Sequence, residues 1–153
     1  FAYTASKGLE YLHDNACIHR DVAARNCLVD GNEVKIIDFG LSTQLSRHQE
    51  KYKVTDLKQR LPIRWLAPEV MTTATYSTKS DVFSFGVLLW EIYSGGEMPY
   101  KGMAAAKVNA QVTSGHRLTA PSKMPRSVRE IMEDRCFPAV AEDRHTIVQV
   151  RRI

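Results

Sequence analysis

Nothing in the 153 residues is apolar for long enough to cross a bilayer. The run Gly86-Val87-Leu88-Leu89-Trp90 falls far short of the roughly 20 residues that a spanning helix needs. No basic segment followed by an apolar run opens the chain, so no signal peptide is expected. Cysteine is scarce: Cys17, Cys27 and Cys136 form no C-x-x-C pair. So odd and sparse a set points to reduced thiols, not to a disulfide framework or a zinc site. His13, His19, His48, His116 and His145 form no ligand pair with carboxylate or Cys support. Neither sign of charge dominates. Lys and Arg number 21 against 17 Asp and Glu, a net +4, with no run of five or six basic residues, so nucleic acid is not the expected partner. Repeats and low-complexity tracts are absent. The chain starts at Phe1 and not at Met, and is expected to be a piece of something longer.

What is present suits one compact soluble domain: 44% apolar and 25% charged residues. Ala2, Ala5, Leu9 and Leu12 recur at helical spacing and predict a helix over residues 2–13, broken by Asp14-Asn15. Cys27-Leu28-Val29 and Val34-Lys35-Ile36-Ile37 flank Asp30-Gly31-Asn32, a hairpin signal. Residues 41–60 are polar and aperiodic, and read as a long mobile loop of functional importance. Residues 80–93 (SDVFSFGVLLWEIY) are apolar nearly all round and predict a central buried helix, with Trp90 as core, ended by Ser94-Gly95-Gly96. Val108 and Val112 suggest another helix before Gly115. Ser127-Val128-Arg129-Glu130 has the pattern of a capping box, and residues 144–153 suggest a last short helix. The expected architecture is mostly helical with one small β-hairpin.

Two acidic motifs bracket the hairpin: His19-Arg20-Asp21-Val22-Ala23-Ala24-Arg25-Asn26 before it and Asp38-Phe39-Gly40 after it. The hairpin should bring Asp21, Asn26 and Asp38 together. Two carboxylates and an amide make a hard oxygen site suited to Mg²⁺ on phosphates.

With Ala67-Pro68-Glu69 following in order, these motifs make the chain resemble the C-terminal lobe of a protein kinase, specifically a tyrosine kinase, over essentially all of residues 1–153. The resemblance implies a protein-kinase-like fold, ATP and Mg²⁺ as cofactors, and protein tyrosines as substrate. It makes Asp21 the group that accepts or orients the substrate hydroxyl proton, and gives Asn26 and Asp38 the metal on the ATP phosphates. A capping role for Asp21 is the plainer alternative. His19 would be a packed histidine near Phe39. Arg20 would pair with a phosphate on the loop between the motifs, or form a plain salt bridge. Asp81 would bond the backbone of the catalytic loop, and Glu69 would pair with Arg144 in a buried ion pair.

Tyrosine specificity is implied by two segments. Kinases for Ser/Thr usually carry Lys two residues after the catalytic Asp, where this chain has Ala23, and the cation stands instead at Arg25. Leu61-Pro62-Ile63-Arg64-Trp65 resembles the substrate platform of tyrosine kinases, with Pro62 near the acceptor ring. Tyr52 occupies the usual place of the autophosphorylated residue, among Arg47, Lys51, Lys53, Lys58 and Arg60. Phosphate there would add nearly two negative charges, and Tyr52 as an exposed residue without a role is the alternative.

The resemblance also has gaps. Kinases of this group usually read Cys-Trp…Asp-Pro…Arg-Pro near the end. This chain has Cys136-Phe137, Val140-Ala141 and Arg144-His145, so weaker local packing is expected. No G-x-G-x-x-G and no V-A-I-K lysine is found. The lobe that grips ATP is therefore expected in cis, upstream, and the fragment alone is expected to be inactive, with an exposed interface prone to aggregate. A Fes/Fer-type, non-receptor parent with an SH2 domain upstream is implied, and hence a cytoplasmic location, or the cytoplasmic side of the membrane for a receptor. A docking pseudokinase and a Ser/Thr kinase are the competing readings.

Overall fold

A computed structural model describes residues 1–56 and 59–152. Helix α1 (Ala2–Asp14) leads into strand β1 (Cys17–Ile18) and a 3₁₀ turn (Ala24–Asn26). Strands β2 (Cys27–Asp30) and β3 (Glu33–Ile36) follow, then β4 (Thr43–Gln44) and β5 (Lys51–Lys53). A second 3₁₀ turn (Ile63–Trp65), α2 (Pro68–Thr73) and β6 (Thr75–Ser77) precede the long helix α3 (Thr78–Ser94). After it come α4 (Ala105–Thr113), α5 (Arg126–Glu130), a π-helical turn (Ile131–Cys136), a third 3₁₀ turn (Ala141–Asp143) and α6 (Ile147–Arg151), joined by irregular segments.

Three two-stranded antiparallel ribbons hang on this helical body. The expected hairpin is β2–β3, in register Cys27↔Ile36 to Asp30↔Glu33. The other two correct the picture of a free loop over residues 41–60. β4 pairs with β1 (Cys17↔Gln44), and β5 pairs with β6 (Lys51↔Ser77, Tyr52↔Tyr76). Lys58 lies outside the described residues, as does Ile153.

Helix α3 is the axis of the core. Its residues 80–89 are all buried: the apolar side chains lie on several faces, and the polar Ser80, Asp81 and Ser84 are buried with their bonds made inside the fold. It starts at a capping box in which Ser77 Oγ accepts from Lys79 N and Ser80 Oγ accepts from Ser77 N, and it ends on Gly95 in the left-handed region. Trp90 departs from the expectation. It is only half-buried, and its Nε1–H donates to Thr119 O at 3.0 Å. Ser127 forms no capping box. It lies inside α5, which starts from Pro125 with no side-chain cap, whereas α6 is boxed by Thr146 and Gln149.

The C-terminal departures do not loosen the packing as expected. Phe137 is buried against Phe83, ring centroids 5.1 Å apart. It sits over Gly86, where an added Cβ would lie 2.7 Å from both Phe137 Cε1 and Cys136 Cβ. Glycine at 86 lets the π-helical turn approach α3, and the smaller ring fills the space this leaves.

Candidate active site

The catalytic-loop motif begins at the end of β1 and is clamped by α3. Asp81 Oδ2 accepts from His19 N at 2.8 Å and Asp81 Oδ1 from Arg20 N at 2.9 Å. His13 of α1 adds a third bond, its Nε2 lying 3.0 Å from Asp81 Oδ2. The clamp supports an uncommon backbone: Arg20 has φ +69°, in the left-handed region that side chains seldom occupy. The His19 ring is fully committed. Asp21 N–H reaches its Nδ1 at 3.2 Å, which makes Nδ1 the acceptor and leaves Nε2 to donate to Ile37 O at 3.0 Å. Its edge meets the Phe39 ring at a centroid distance of 5.4 Å. This histidine is thus a strut between the two motifs and not a free base.

Asp21 and Asn26 are tied directly. Asn26 Nδ2 donates to Asp21 O at 2.8 Å, which leaves Oδ1 as the amide's acceptor. Asn26 O accepts from Ile37 N at 2.8 Å, so the same residue fastens the start of the second motif. One residue on, Asp38 is exposed at φ +61°, with Gly40 N donating to its Oδ1 at 3.1 Å. A Cβ on Gly40 would come within 3.2 Å of that oxygen, so glycine suits the turn. Asn26 and Asp38 contribute an amide and a carboxylate, both hard oxygen donors. Among the described residues no group of three or more His, Cys, Asp or Glu gathers as a metal cage. A sparse oxygen set of this kind fits Mg²⁺, which retains waters and phosphate ligands, and does not fit structural zinc.

Arg25 bonds back to Asp21 Oδ1 through Nη2, and its guanidinium lies over the Trp65 ring, 4.2 Å from the centroid. Trp65 is held from α3 at both ends: Ser84 Oγ donates to Trp65 O at 2.7 Å, and Trp65 Nε1–H donates to Glu91 Oε2 at 3.0 Å. Glu91 Oε2 also accepts from Ala24 N at 2.9 Å. Pro62 is half-buried at the head of this segment. Arg64 turns away from the site, to the carbonyls of Pro99, Tyr100 and Met103, and acts as a brace. Neither Glu91 nor His13 stands out in the sequence. A buried acid ten residues after Asp81 on an otherwise apolar helix was the available signal. Cys27, next to Asn26, is no nucleophile, because burial and the nearby Glu91 push its thiol up to about 11.

Arg20 is buried, and its hydrogen-bond partners among the described residues are neutral. Its Nη1 donates to Leu41 O at 3.0 Å and to Thr43 Oγ1 at 3.3 Å, and its guanidinium sits 4.3 Å from the Tyr76 ring centroid and 5.2 Å from that of Tyr52. No ion pair seen among the described residues includes it. Tyr52 is half-buried on β5. Its neighbour Lys51 bonds Glu142 at 3.0 Å, a contact that holds the Lys51 pKa up and the Glu142 pKa down. Arg144 is wholly buried and grips Glu69 with two bonds of 2.7 Å.

The hairpin and the turn after it expose large apolar side chains. Leu28 is 55% exposed, Val29 60% and Phe39 49%. Among the described residues no helix is long and apolar enough to cross a membrane.

Comparison with known proteins agrees with this geometry. A family model described as protein tyrosine and serine/threonine kinase matches residues 1–153. Tyrosine-protein kinase Fer of Homo sapiens is 43% identical over 153 residues, covering 99% of this chain and 18% of that protein. The Fer of Mus musculus is 45% identical over 145 residues, 94% of this chain and 17% of that protein. Fibroblast growth factor receptor 1 of Pleurodeles waltl is 43% identical over 150 residues, 97% of this chain and 18% of that protein. The chain therefore spans less than a fifth of the length of these relatives, and over its whole length it belongs to the protein tyrosine and serine/threonine kinase family.

Proposed function

We propose that this chain is the C-terminal catalytic lobe of a protein tyrosine kinase that moves the γ-phosphoryl group of ATP to tyrosine hydroxyls of proteins. The observation that carries the reading is the fixed Asp21. Its main-chain oxygen is held by Asn26 and its carboxylate by Arg25, while α3 clamps the two residues before it. A carboxylate so placed accepts the hydroxyl proton as the oxygen attacks, and its orientation is set before substrate arrives. Arg25 supplies the cation next to it. Asn26 and Asp38 would hold Mg²⁺, which when bound offsets the charge of the nucleotide phosphates.

Tyrosine, not serine, is the acceptor in this reading. Arg25 stands four residues after Asp21 and lies over the Trp65 ring, so the cation and the platform adjoin in a way that suits a long, planar acceptor. Arg20 is the receptor for phosphate on Tyr52: a buried guanidinium bonded to neutral oxygens of Leu41 and Thr43 and already against the Tyr52 ring. Leu28, Val29 and Phe39 form the seat of a nucleotide-binding lobe N-terminal to this one. We place the whole protein on the cytoplasmic side, in line with its reduced thiols, and assign it an upstream SH2 domain from the Fer likeness alone.

The test is Asp21→Asn in the full-length protein, with phosphotyrosine on a protein substrate as readout. Loss of phosphotransfer by about 10²-fold or more is expected, since removal of a positioned general base costs about 10²–10⁴. Undiminished transfer overturns the reading.

A further inference from the structure

Resting on the kinase reading above, we propose that Glu91 is a positioning residue that couples the catalytic loop to the substrate platform and thereby fixes where Arg25 presents its charge. Glu91 is buried, 6% exposed, in the apolar second half of α3. One of its oxygens, Oε2, joins two segments far apart in sequence, taking Ala24 N at 2.9 Å and Trp65 Nε1 at 3.0 Å. Ala24 precedes Arg25 in the chain, and the Trp65 ring is the surface on which the Arg25 guanidinium lies. The circuit thus runs from Glu91 through the backbone to Arg25, through the stacked ring to Trp65, and back to Glu91. Asp21 joins it through its bond with Arg25.

Packing alone does not call for an acid here. A buried carboxylate is costly unless charge-assisted bonds satisfy it, and an apolar side chain would fill the same volume. What the acid adds is one oxygen that ties the Ala24 amide and the Trp65 indole, two segments far apart in the chain, to each other. Ser84 holds the Trp65 carbonyl from the same helix, so the platform cannot follow the loop if the loop moves. Without Glu91, the Ala24 and indole N–H groups both lose their acceptor. Arg25 and Asp21 are then free to shift against the acceptor ring, and a misplacement of about 1 Å costs about 10²-fold in rate. Neither bond of Glu91 involves Asn26 or Asp38, so nucleotide binding should be spared.

The experiment compares the full-length protein with its Glu91→Ala, Glu91→Gln, Trp65→Phe and Glu91→Ala/Trp65→Phe variants, measuring kcat and KM for a tyrosine peptide and for ATP. Exchange of the Trp65 indole proton and the Ala24 amide is followed by NMR in a Trp90→Phe background. Glu91→Ala should lower kcat about 10- to 100-fold and raise the peptide KM, with the ATP KM within about twofold. Glu91→Gln, which keeps an acceptor oxygen, should recover most of the rate. Trp65→Phe keeps the ring and loses the N–H; it should fall between, and add nothing on top of Glu91→Ala. Both protons should exchange slowly in the parent and in Glu91→Gln, and fast in Glu91→Ala. A folded Glu91→Ala with parental kcat and peptide KM, or a Glu91→Gln as impaired as Glu91→Ala, overturns the inference. Should Glu91→Ala fail to fold, parental kinetics in Trp65→Phe overturn it instead. A parent protein that phosphorylates no tyrosine refutes the kinase reading and not this one, because slow exchange that depends on Glu91 still reports the coupling.

Discussion

Removing Glu69 should cost more than removing Glu69 and Arg144 together. The Arg144 side chain is 0% exposed and that of Glu69 23%. The guanidinium bonds both Glu69 oxygens at 2.7 Å, Pro138 O at 2.8 Å, Lys79 O at 3.1 Å and Ala139 O at 3.2 Å. Glu69→Leu leaves a buried cation with three carbonyls and no counterion, a loss of about 3–5 kcal/mol for a broken buried pair. The partial exposure of Glu69 lets water reach the gap and favours the lower end, about 3 kcal/mol. In a domain of this size that lowers Tm by about 6–12 °C, at about 2–4 °C per kcal/mol. Adding Arg144→Met removes the stranded charge, so the double variant should be more stable than Glu69→Leu alone. Urea denaturation of the four proteins of this cycle, with equal m-values, is the assay. A Glu69→Leu within about 1 kcal/mol of the parent, or a double variant no more stable than Glu69→Leu, would show that no stranded charge is left behind.

Three further outcomes follow from the same geometry. Gly86→Ala should destabilise by about 1–3 kcal/mol through overpacking against Phe137 and Cys136, read from the denaturation midpoint; an unchanged midpoint would show that the turn yields freely. Tyr52→Phe keeps a ring over Arg20, so amide exchange across β5 should match the parent before phosphorylation. The gain in activity on incubation with ATP should be lost, and a variant that still gains it would remove Tyr52 as the phosphosite. Burial pushes the Cys136 thiol and the Tyr100 hydroxyl each up to about 12, so the folded state binds both protons more tightly than the unfolded one. Their contribution is complete below the ordinary values of 9.0 and 10.0 and drains as pH rises toward 12. Stability should fall above about pH 9, less steeply in Cys136→Ala, and a slope unaltered by that change would count against the thiol.

The long periodic elements were legible because burial writes itself into spacing. Helices α1, α3 and α4 and the β2–β3 hairpin lie where their apolar residues put them. Strands β1, β4, β5 and β6 hold two or three residues each, too few for alternation to show. They exist because distant partners pair with them, which is why residues 41–60 read as a free loop. The capping box was misplaced for a local reason. Ser127 and Glu130 match the pattern, but Pro125 starts the helix earlier, while the box at Ser77 has Ser80 where the pattern expects Glu or Gln. In the site, the motifs marked Asp21, Asn26 and Asp38, and the structure brings Asp21 and Asn26 into contact. The roles of Glu91 and His13 could not be read from the sequence, because each acts across the fold on a segment that no spacing rule connects to it; an acid on a largely apolar helix was the sole sign of Glu91.

In the proposed function Asp21 serves phosphotransfer to tyrosine. The most direct measurement is transfer from ATP to two peptides identical except for Tyr or Ser at the acceptor position, by the full-length protein and its Asp21→Asn variant. Transfer to the tyrosine peptide alone, abolished by Asp21→Asn, is the expected result. Equal or greater transfer to the serine peptide, or tyrosine transfer that survives Asp21→Asn, would contradict it.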